Sequence, residues 1–267
     1  MTDIALITHG ALPAVRICAA DGAQAIVTLY GAHLVSWTSA AGKEQLFLSE
    51  RSALDGSRAI RGGVPVIFPQ FAERGTGMRH GFARVSTWRQ GESGSGDDGA
   101  FAVFMLTHAD LAASHGAAWP HGFELRLKIS VRAAQLVLSL DVRNAGDDAF
   151  AFSSALHTYF AVDTVDAVRV RGVQAGELAI GDKHDQIYRD IAGTIELQDG
   201  AGTRRLTQTG FRDAVVWNPG AADTAALADM DDSDYLHFTC VEAALIEPLT
   251  LQPGGAWRGE HRIVASA

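Results

Sequence analysis

F-E-L-R-L-K-I-S-V-R-A-A-Q-L-V-L-S-L-D-V, residues Phe123 to Val142, is the stretch that decides the fold. Apolar and polar side chains alternate with period 2 over Phe123 to Val131 and again over Gln135 to Val142. Successive strand residues point to opposite faces, so each segment buries one face and wets the other. Arg132, Ala133 and Ala134 supply the short turn between them, and the pair reads as a β-hairpin. Similar short segments extend outward in both directions. Upstream lie Ile4 to Ile7, Val15 to Cys18, Ala25 to Tyr30, His33 to Trp37, Gln45 to Leu48 and Phe101 to Leu106. Downstream lie Phe150 to Leu156, Val168 to Val173, Thr194 to Leu197, Arg204 to Gln208, Ala214 to Trp217, Leu236 to Ala243 and Trp257 to Val264. Asp110 to Ala118 carries a helical signal, stopped by Pro120. Gly91 to Gly99, G-E-S-G-S-G-D-D-G, reads as an exposed loop between strands. Strand patterning continues on both sides of it, so residues 1–267 are read as one all-β domain, a sandwich or a barrel.

Composition narrows the function classes. With 47% hydrophobic and 20% charged residues the chain resembles an ordinary globular protein that can bury a large core. Its 22 Lys+Arg against 31 Asp+Glu give a net charge of −9, which argues against nucleic acid as a partner. A local basic cluster can still hold a small anion against that field. No run of 18 apolar residues suggests a membrane span. No signal peptide is visible from Met1 to Gly10. Cys18 and Cys240 lack C-x-x-C spacing and read as free thiols of a reducing, cytoplasmic compartment, with a single disulfide as the alternative.

Three segments could carry chemistry. Arg58 to Trp88 holds arginines at 58, 61, 74, 79 and 84, together with His80, on a backbone bent by Gly62-Gly63 and two prolines. Guanidinium forks bind carboxylate or phosphate bidentately, so Arg61, Arg84 and Arg79 could form an anion pocket. A solvated loop with surface arginines is the competing reading. His157, in A-L-H-T-Y-F, ends an apolar strand and is either a core histidine or a functional one. Glu242, in F-T-C-V-E-A-A-L-I, interrupts another apolar strand. A carboxylate inside it is costly unless paired, but simple alternation would turn it to water if Val241 and Ala243 face the core. Asp229 to Asp234 reads as a solvated acidic loop, lacking the glycine and distal glutamate of a calcium loop.

In this order, R-G-G-V-P-V-I-F-P-Q-F, R-H-G-F-A-R-x-S-x-W, L-H-T-Y-F, W-N-P and C-V-E resemble the hexose-6-phosphate mutarotases, or glucose-6-phosphate 1-epimerases, of the aldose 1-epimerase group. The resemblance spans roughly Arg58 to Ala244. It implies a galactose-mutarotase-like β-sandwich, a supersandwich with few short helices. It implies an isomerase that interconverts the α and β anomers of an aldohexose 6-phosphate, with no metal, no cofactor and a monomeric chain. On this resemblance His157 is the general acid and Glu242 the general base. Arg61 and Arg84 match the arginines that hold phosphate, and His80 lines the pocket. Asp185, in K-H-D-Q-I-Y, matches an aspartate that binds sugar hydroxyls, and Gln70 matches a variable pocket position. Three departures stand out: Ala72 in place of a glycine after P-Q-F, Arg79 in place of a glutamine before H-G-F-A-R, and Gly220 in place of an aromatic after W-N-P. Arg79 would add positive charge at the pocket mouth and contact substrate there.

The residue types suit the reaction. Mutarotation removes a proton from the anomeric hydroxyl and delivers one to the ring oxygen, so an acid and a base near neutrality suffice. Two alternatives share the fold: a mutarotase of unphosphorylated aldoses, and a non-catalytic carbohydrate-binding protein. The arginine cluster argues against the first, and retention of both His157 and Glu242 against the second. A β-sandwich polysaccharide lyase is more distant still.

Overall fold

A computed structural model of the chain describes residues 2–200 and 202–266. Its strands form three antiparallel sheets. The hairpin of Phe123–Arg132 and Gln135–Asn144 sits inside the nine-stranded one. Leu125 faces Val142, Leu127 faces Leu140, and Ile129 faces Leu138, all essentially without solvent exposure. Burying each such side chain is worth about 1.5–3 kcal/mol, which fixes the register. A slip by one residue would instead bury Arg126 and Lys128. A four-stranded sheet (Asp3–His9, Leu12–Cys18, Gln24–Thr28, His33–Thr38) contributes Val15, Ala25 and Trp37 to the same core.

The third sheet carries the candidate site. Its order is His184–Tyr188, Asp213–Asn218, Phe238–Leu251, Phe150–Leu156 and Val66–Ile67, with Tyr159–Ala161 also paired to Phe238–Leu251. Val216, Val241 and Ala243 face the main core. The opposite face of this sheet is covered as well, by residues 58–84 and by the segment after Asn218.

Several local expectations are corrected. Gly91–Gly99 is not a loop but most of an edge hairpin. Arg89–Gly96 pairs with Gly99–Thr107 through a two-residue turn at Asp97-Asp98. The Phe101 ring lies alongside Gly94 and Gly96 and supplies cross-strand contact that the glycines cannot. Gly99, which takes positive φ directly after the Asp97-Asp98 turn, is the turn signal that outweighs the glycine content. The helix is shorter than expected, Ala113–Ala118; Asp110 instead ends a 3₁₀ turn and accepts the Thr107 N–H and hydroxyl. Residues 45–48 make isolated bridges rather than a strand. The expected strand from Leu236 begins at Phe238 after a 3₁₀ turn, Asp234–His237, and runs on to Leu251. His184–Tyr188 and the short helix Gly220–Ala225 were not foreseen. Cys18 and Cys240 are both free thiols. No helix among the described residues is long and apolar enough to cross a membrane.

Backbone conformation shapes the wall over the functional sheet. His80 and Gly81 both take positive φ, +63° and +67°. A side chain at Gly81 would run into the Phe68 carbonyl, so glycine is required there both by conformation and by close approach. Gly81→Ala is therefore expected to destabilise the fold by about 2 kcal/mol or more. Urea denaturation checks this, and a loss below about 0.5 kcal/mol would show that the segment relaxes freely.

Candidate functional site

Strand register builds the floor of a pocket of about 420 Å³, within the range of small-molecule sites. Asp185 pairs with Trp217, which pairs with Cys240, which pairs with Tyr159. In the neighbouring row Ile187 pairs with Val215 and Val215 with Glu242. Side chains of directly paired residues share a face, so Asp185, Trp217, Tyr159 and Glu242 all point into one space. His157 follows Leu156, whose partner is Ala243, and this brings its ring beside Glu242. The alternation argument was right that Glu242 opposes Val241 and Ala243. The face it occupies is a covered pocket rather than water.

His157 Nε2 and Glu242 Oε1 lie 3.3 Å apart, with both side chains almost fully buried. The His157 ring stacks on Tyr159 at 4.9 Å between centroids and meets Trp217 edge-on at 5.8 Å. These aromatics fix the imidazole plane. His157 Nδ1 and Glu242 Oε2 are buried without hydrogen-bond partners, so the pair retains unused polar valence. Burial pushes the Glu242 carboxyl well above the ordinary carboxylate range, and the charge of Asp185 adds to this. Burial pushes His157 well below the ordinary imidazole value, assisted by His80, Arg84 and Arg61. Both shifts disfavour charge on the pair: they favour the protonated carboxyl of Glu242 and the neutral imidazole of His157.

The wall comes from residues 58–84. Gly63 O accepts from Tyr159 N at 2.9 Å and Pro65 O from His157 N at 3.0 Å, which clamps this segment alongside the histidine. Arg61 is thereby brought to Tyr159 and donates to its hydroxyl at 3.2 Å. Arg84 sits in a 3₁₀ turn, Ala83–Val85, that two side chains brace. Ser86 Oγ donates to Phe82 O at 3.0 Å, and Trp88 Nε1 donates to Ala83 O at 2.9 Å. His80 Nδ1 accepts from Ala72 N at 3.2 Å, so the proton of its neutral ring sits on Nε2. Burial first, and then Arg84, Arg79 and Arg61, bring its pKa down to about 3. Arg79 lies at the exposed rim, 3.7 Å from Glu73.

Of the eight residues singled out from the sequence, seven line this one pocket: Arg61, Arg79, His80, Arg84, His157, Asp185 and Glu242. Gln70 is placed elsewhere. Its neighbour Phe71 takes the pocket side, and Gln70 faces a separate cavity of about 270 Å³ lined by Phe82, Trp119 and Phe152. There its amide donates to Ala72 O and Gly77 O and accepts from Gly77 N at 2.8 Å. It braces the loop that returns at His80. Asp229 was missed. Expected in a solvated acidic loop, it lies in the pocket wall, 3.3 Å from Arg61. The available signal was Met230, an apolar residue within an acidic run, which is fully buried. Among the described residues no cluster of three or more His, Cys, Asp or Glu could hold a metal ion.

Residues 13–184 match the aldose 1-epimerase family. Two relatives, from Cenchrus ciliaris and Escherichia coli K12, bear the name "putative glucose-6-phosphate 1-epimerase". The first is 33% identical over 97% of this chain and 86% of its own length. The second is 32% identical over 83% and 79%. A crystal structure from Salmonella typhimurium, described as a "putative mutarotase", superimposes with a TM-score of 0.86 at 26% identity, covering 98% of this chain and 97% of its own. A galactose mutarotase-like protein from Clostridium acetobutylicum shares the fold, with a TM-score of 0.77 at 14% identity over 99% of this chain and 98% of its own. The chain belongs to the aldose 1-epimerase family, has its galactose-mutarotase-like β-sandwich, and is an isomerase of the epimerase class.

Four buried histidines, His80 and His157 in the pocket and His33 and His261 outside it, make stability acid-sensitive. His33 and His261 are held at about 4 and His80 at about 3, all chiefly by burial, and His157 lies well below its ordinary value. An unfolded histidine takes up its proton near 6.5. Below that pH the unfolded state binds protons that the native state refuses, so native stability is lost as pH falls. Glu242, with its raised pKa, opposes the trend as a single group against four. Between pH 7 and 5 stability should drop by roughly 2–5 kcal/mol. Urea titrations at each pH check this, and a flat or rising profile would contradict the assignment.

Proposed function

We propose that the chain interconverts the α and β anomers of aldohexose 6-phosphates, glucose 6-phosphate foremost, by acid/base ring opening. The observation that carries this reading is the juxtaposition in one pocket of a buried His157–Glu242 pair and two guanidinium groups, Arg61 and Arg84. The reacting oxygens of an aldopyranose, the anomeric hydroxyl and the ring oxygen, are both bonded to C1. An acid and a base held side by side at 3.3 Å can therefore serve them together.

The pair carries one proton. Passing it from Glu242 to His157 across their contact gives a carboxylate base and an imidazolium acid. Glu242 then takes the anomeric hydroxyl proton while His157 protonates the ring oxygen, and the C1–O bond to the ring breaks. The open aldehyde rotates about C1–C2. Closure on the other face returns both protons with the roles reversed, and the pair ends as it began. Asp185, at the edge of the same floor, is placed to accept from sugar hydroxyls, and His80 Nε2 to donate. The phosphate is held at Arg84 and Arg61, with Arg79 at the mouth. Anchoring this non-reacting end orients C1 over the pair.

One feature favours a second reading, a mutarotase of unphosphorylated aldoses: Asp229 already neutralises Arg61. Measured anomerisation rates decide between the two. Exchange NMR on glucose 6-phosphate should show His157→Ala and Glu242→Gln lowering kcat by about 10²–10⁴-fold each. Unchanged rates in either would remove that residue from the chemistry. Arg84→Met should raise KM for the phosphorylated sugar at least about tenfold and leave free glucose unaffected. Equal effects on both sugars would favour the unphosphorylated substrate.

A further inference from the structure

The two arginines of the pocket are not equivalent. Arg84 Nη2 donates to the Arg79 carbonyl at 3.0 Å and its Nε is buried without a partner. Burial and the charges of Arg61 and Arg79 lower its pKa, with only the Tyr159 and Tyr30 hydroxyls working the other way. It is a cation awaiting an anion. Arg61 shares the partnerless buried Nε, but both of its terminal nitrogens are engaged. Nη1 donates to Tyr159 and Nη2 pairs with Asp229 Oδ2 at 3.3 Å. Burial works against its charge, yet Tyr159 and Asp229 together hold it above the ordinary guanidinium value.

Asp229 is held in place by its own loop. Asn218 is fully buried and spans the loop's ends: its amide donates to Tyr235 O and Phe238 O, both at 2.8 Å, and accepts from Gly220 N at 2.9 Å. Met230 packs into the cluster of Tyr159, Phe238 and Cys240. The neighbouring acids turn outward or sideways, Asp231 to Arg51 and Asp234 to Ser49. The Asp229 carboxylate, 13% exposed, goes inward.

We propose that Asp229 is a specificity-determining residue, a resident counter-ion that occupies Arg61 in the empty pocket and yields it to the phosphate dianion of the substrate. The inference rests on the phosphosugar reading above and adds the element that sets its charge threshold. A phosphate monoester carries about −1.5 to −2 at pH 7 and three acceptor oxygens. It can bridge Arg84 and Arg61 and outcompete a single carboxylate. A neutral sugar brings nothing that displaces Asp229, and a monoanion exchanges one single charge for another at no gain. The carboxylate therefore lowers the affinity of the pocket for every anion and excludes the weakly charged ones.

The test is direct calorimetric titration of inorganic phosphate into the wild type and Asp229→Asn. Asparagine keeps the shape and can still accept from Arg61. Its phosphate Kd should fall on the order of tenfold, a tightening that a merely structural defect would not produce. Asp185→Asn removes a pocket carboxylate that does not touch Arg61, and should change the Kd by less than about twofold. An unchanged or weaker Kd in Asp229→Asn, with phosphate binding intact in the wild type, overturns the counter-ion role and leaves the phosphosugar reading standing. Equal tightening by Asp185→Asn overturns it too, because general charge would then be the cause. If neither protein binds phosphate, both readings fall. Should Asp229→Asn not fold, Asp229→Ser carries the same expectation.

Discussion

A carboxyl group buried on a central strand constrains nearly everything around it. Glu242 is 2% exposed on Phe238–Leu251, with Val215 on one side and His157 on the other. An ionised carboxylate in such surroundings is strongly disfavoured, so it must be protonated, paired, or both. The sheet supplies His157 as the partner, and Tyr159 and Trp217 hold that ring in place. Residues 58–84 then exclude water from the face that would otherwise be solvated. Along this wall His80 takes a left-handed conformation, and glycine at position 81 lets the next residue do the same without strain.

Charge is organised on two scales. The chain as a whole carries −9, and many of its acids sit in exposed pairs such as Arg258 with Asp141. Within the pocket Arg61, Arg84 and Arg79 face Glu242, Asp185 and Asp229. With the Glu242 carboxyl disfavoured as an anion, the arginines outnumber the charged carboxylates there, and on the proposed reading Asp229 holds part of that excess until a dianion takes its place. The global balance argues against an extended basic surface. It does not exclude one small anion, and on the proposed reading the local arrangement makes that anion a condition for tight binding.

Much of the fold was legible because period-2 patterning and strand burial have the same cause. Phe123 to Val142 could satisfy its apolar residues in one way only. The glycine-rich edge strand escaped that reading, since its packing comes from Phe101 across the hairpin and not from its own residues. His157 and Glu242 could be placed by motif, but alternation along one strand could not say that both faces of the sheet are covered. That depends on residues 58–84, far away in sequence. Gln70 was misplaced for a related reason: Phe71 and Gln70 take opposite sides of one wall, and sequence order does not say which side is the pocket. Asp229 was hidden among acids that are solvated, and only the burial of Met230 next to it separates it from them.

The claim that an acid/base pair and an anion grip act on one hexose is tested most directly by a crystal structure with a bound aldohexose 6-phosphate. The phosphate should lie against Arg84 and Arg61, with Asp229 drawn off Arg61. The anomeric and ring oxygens should lie within hydrogen-bond reach of Glu242 and His157, at about 2.6–3.2 Å. A sugar bound with its phosphate on the floor, or with C1 turned away from both residues, would contradict the account.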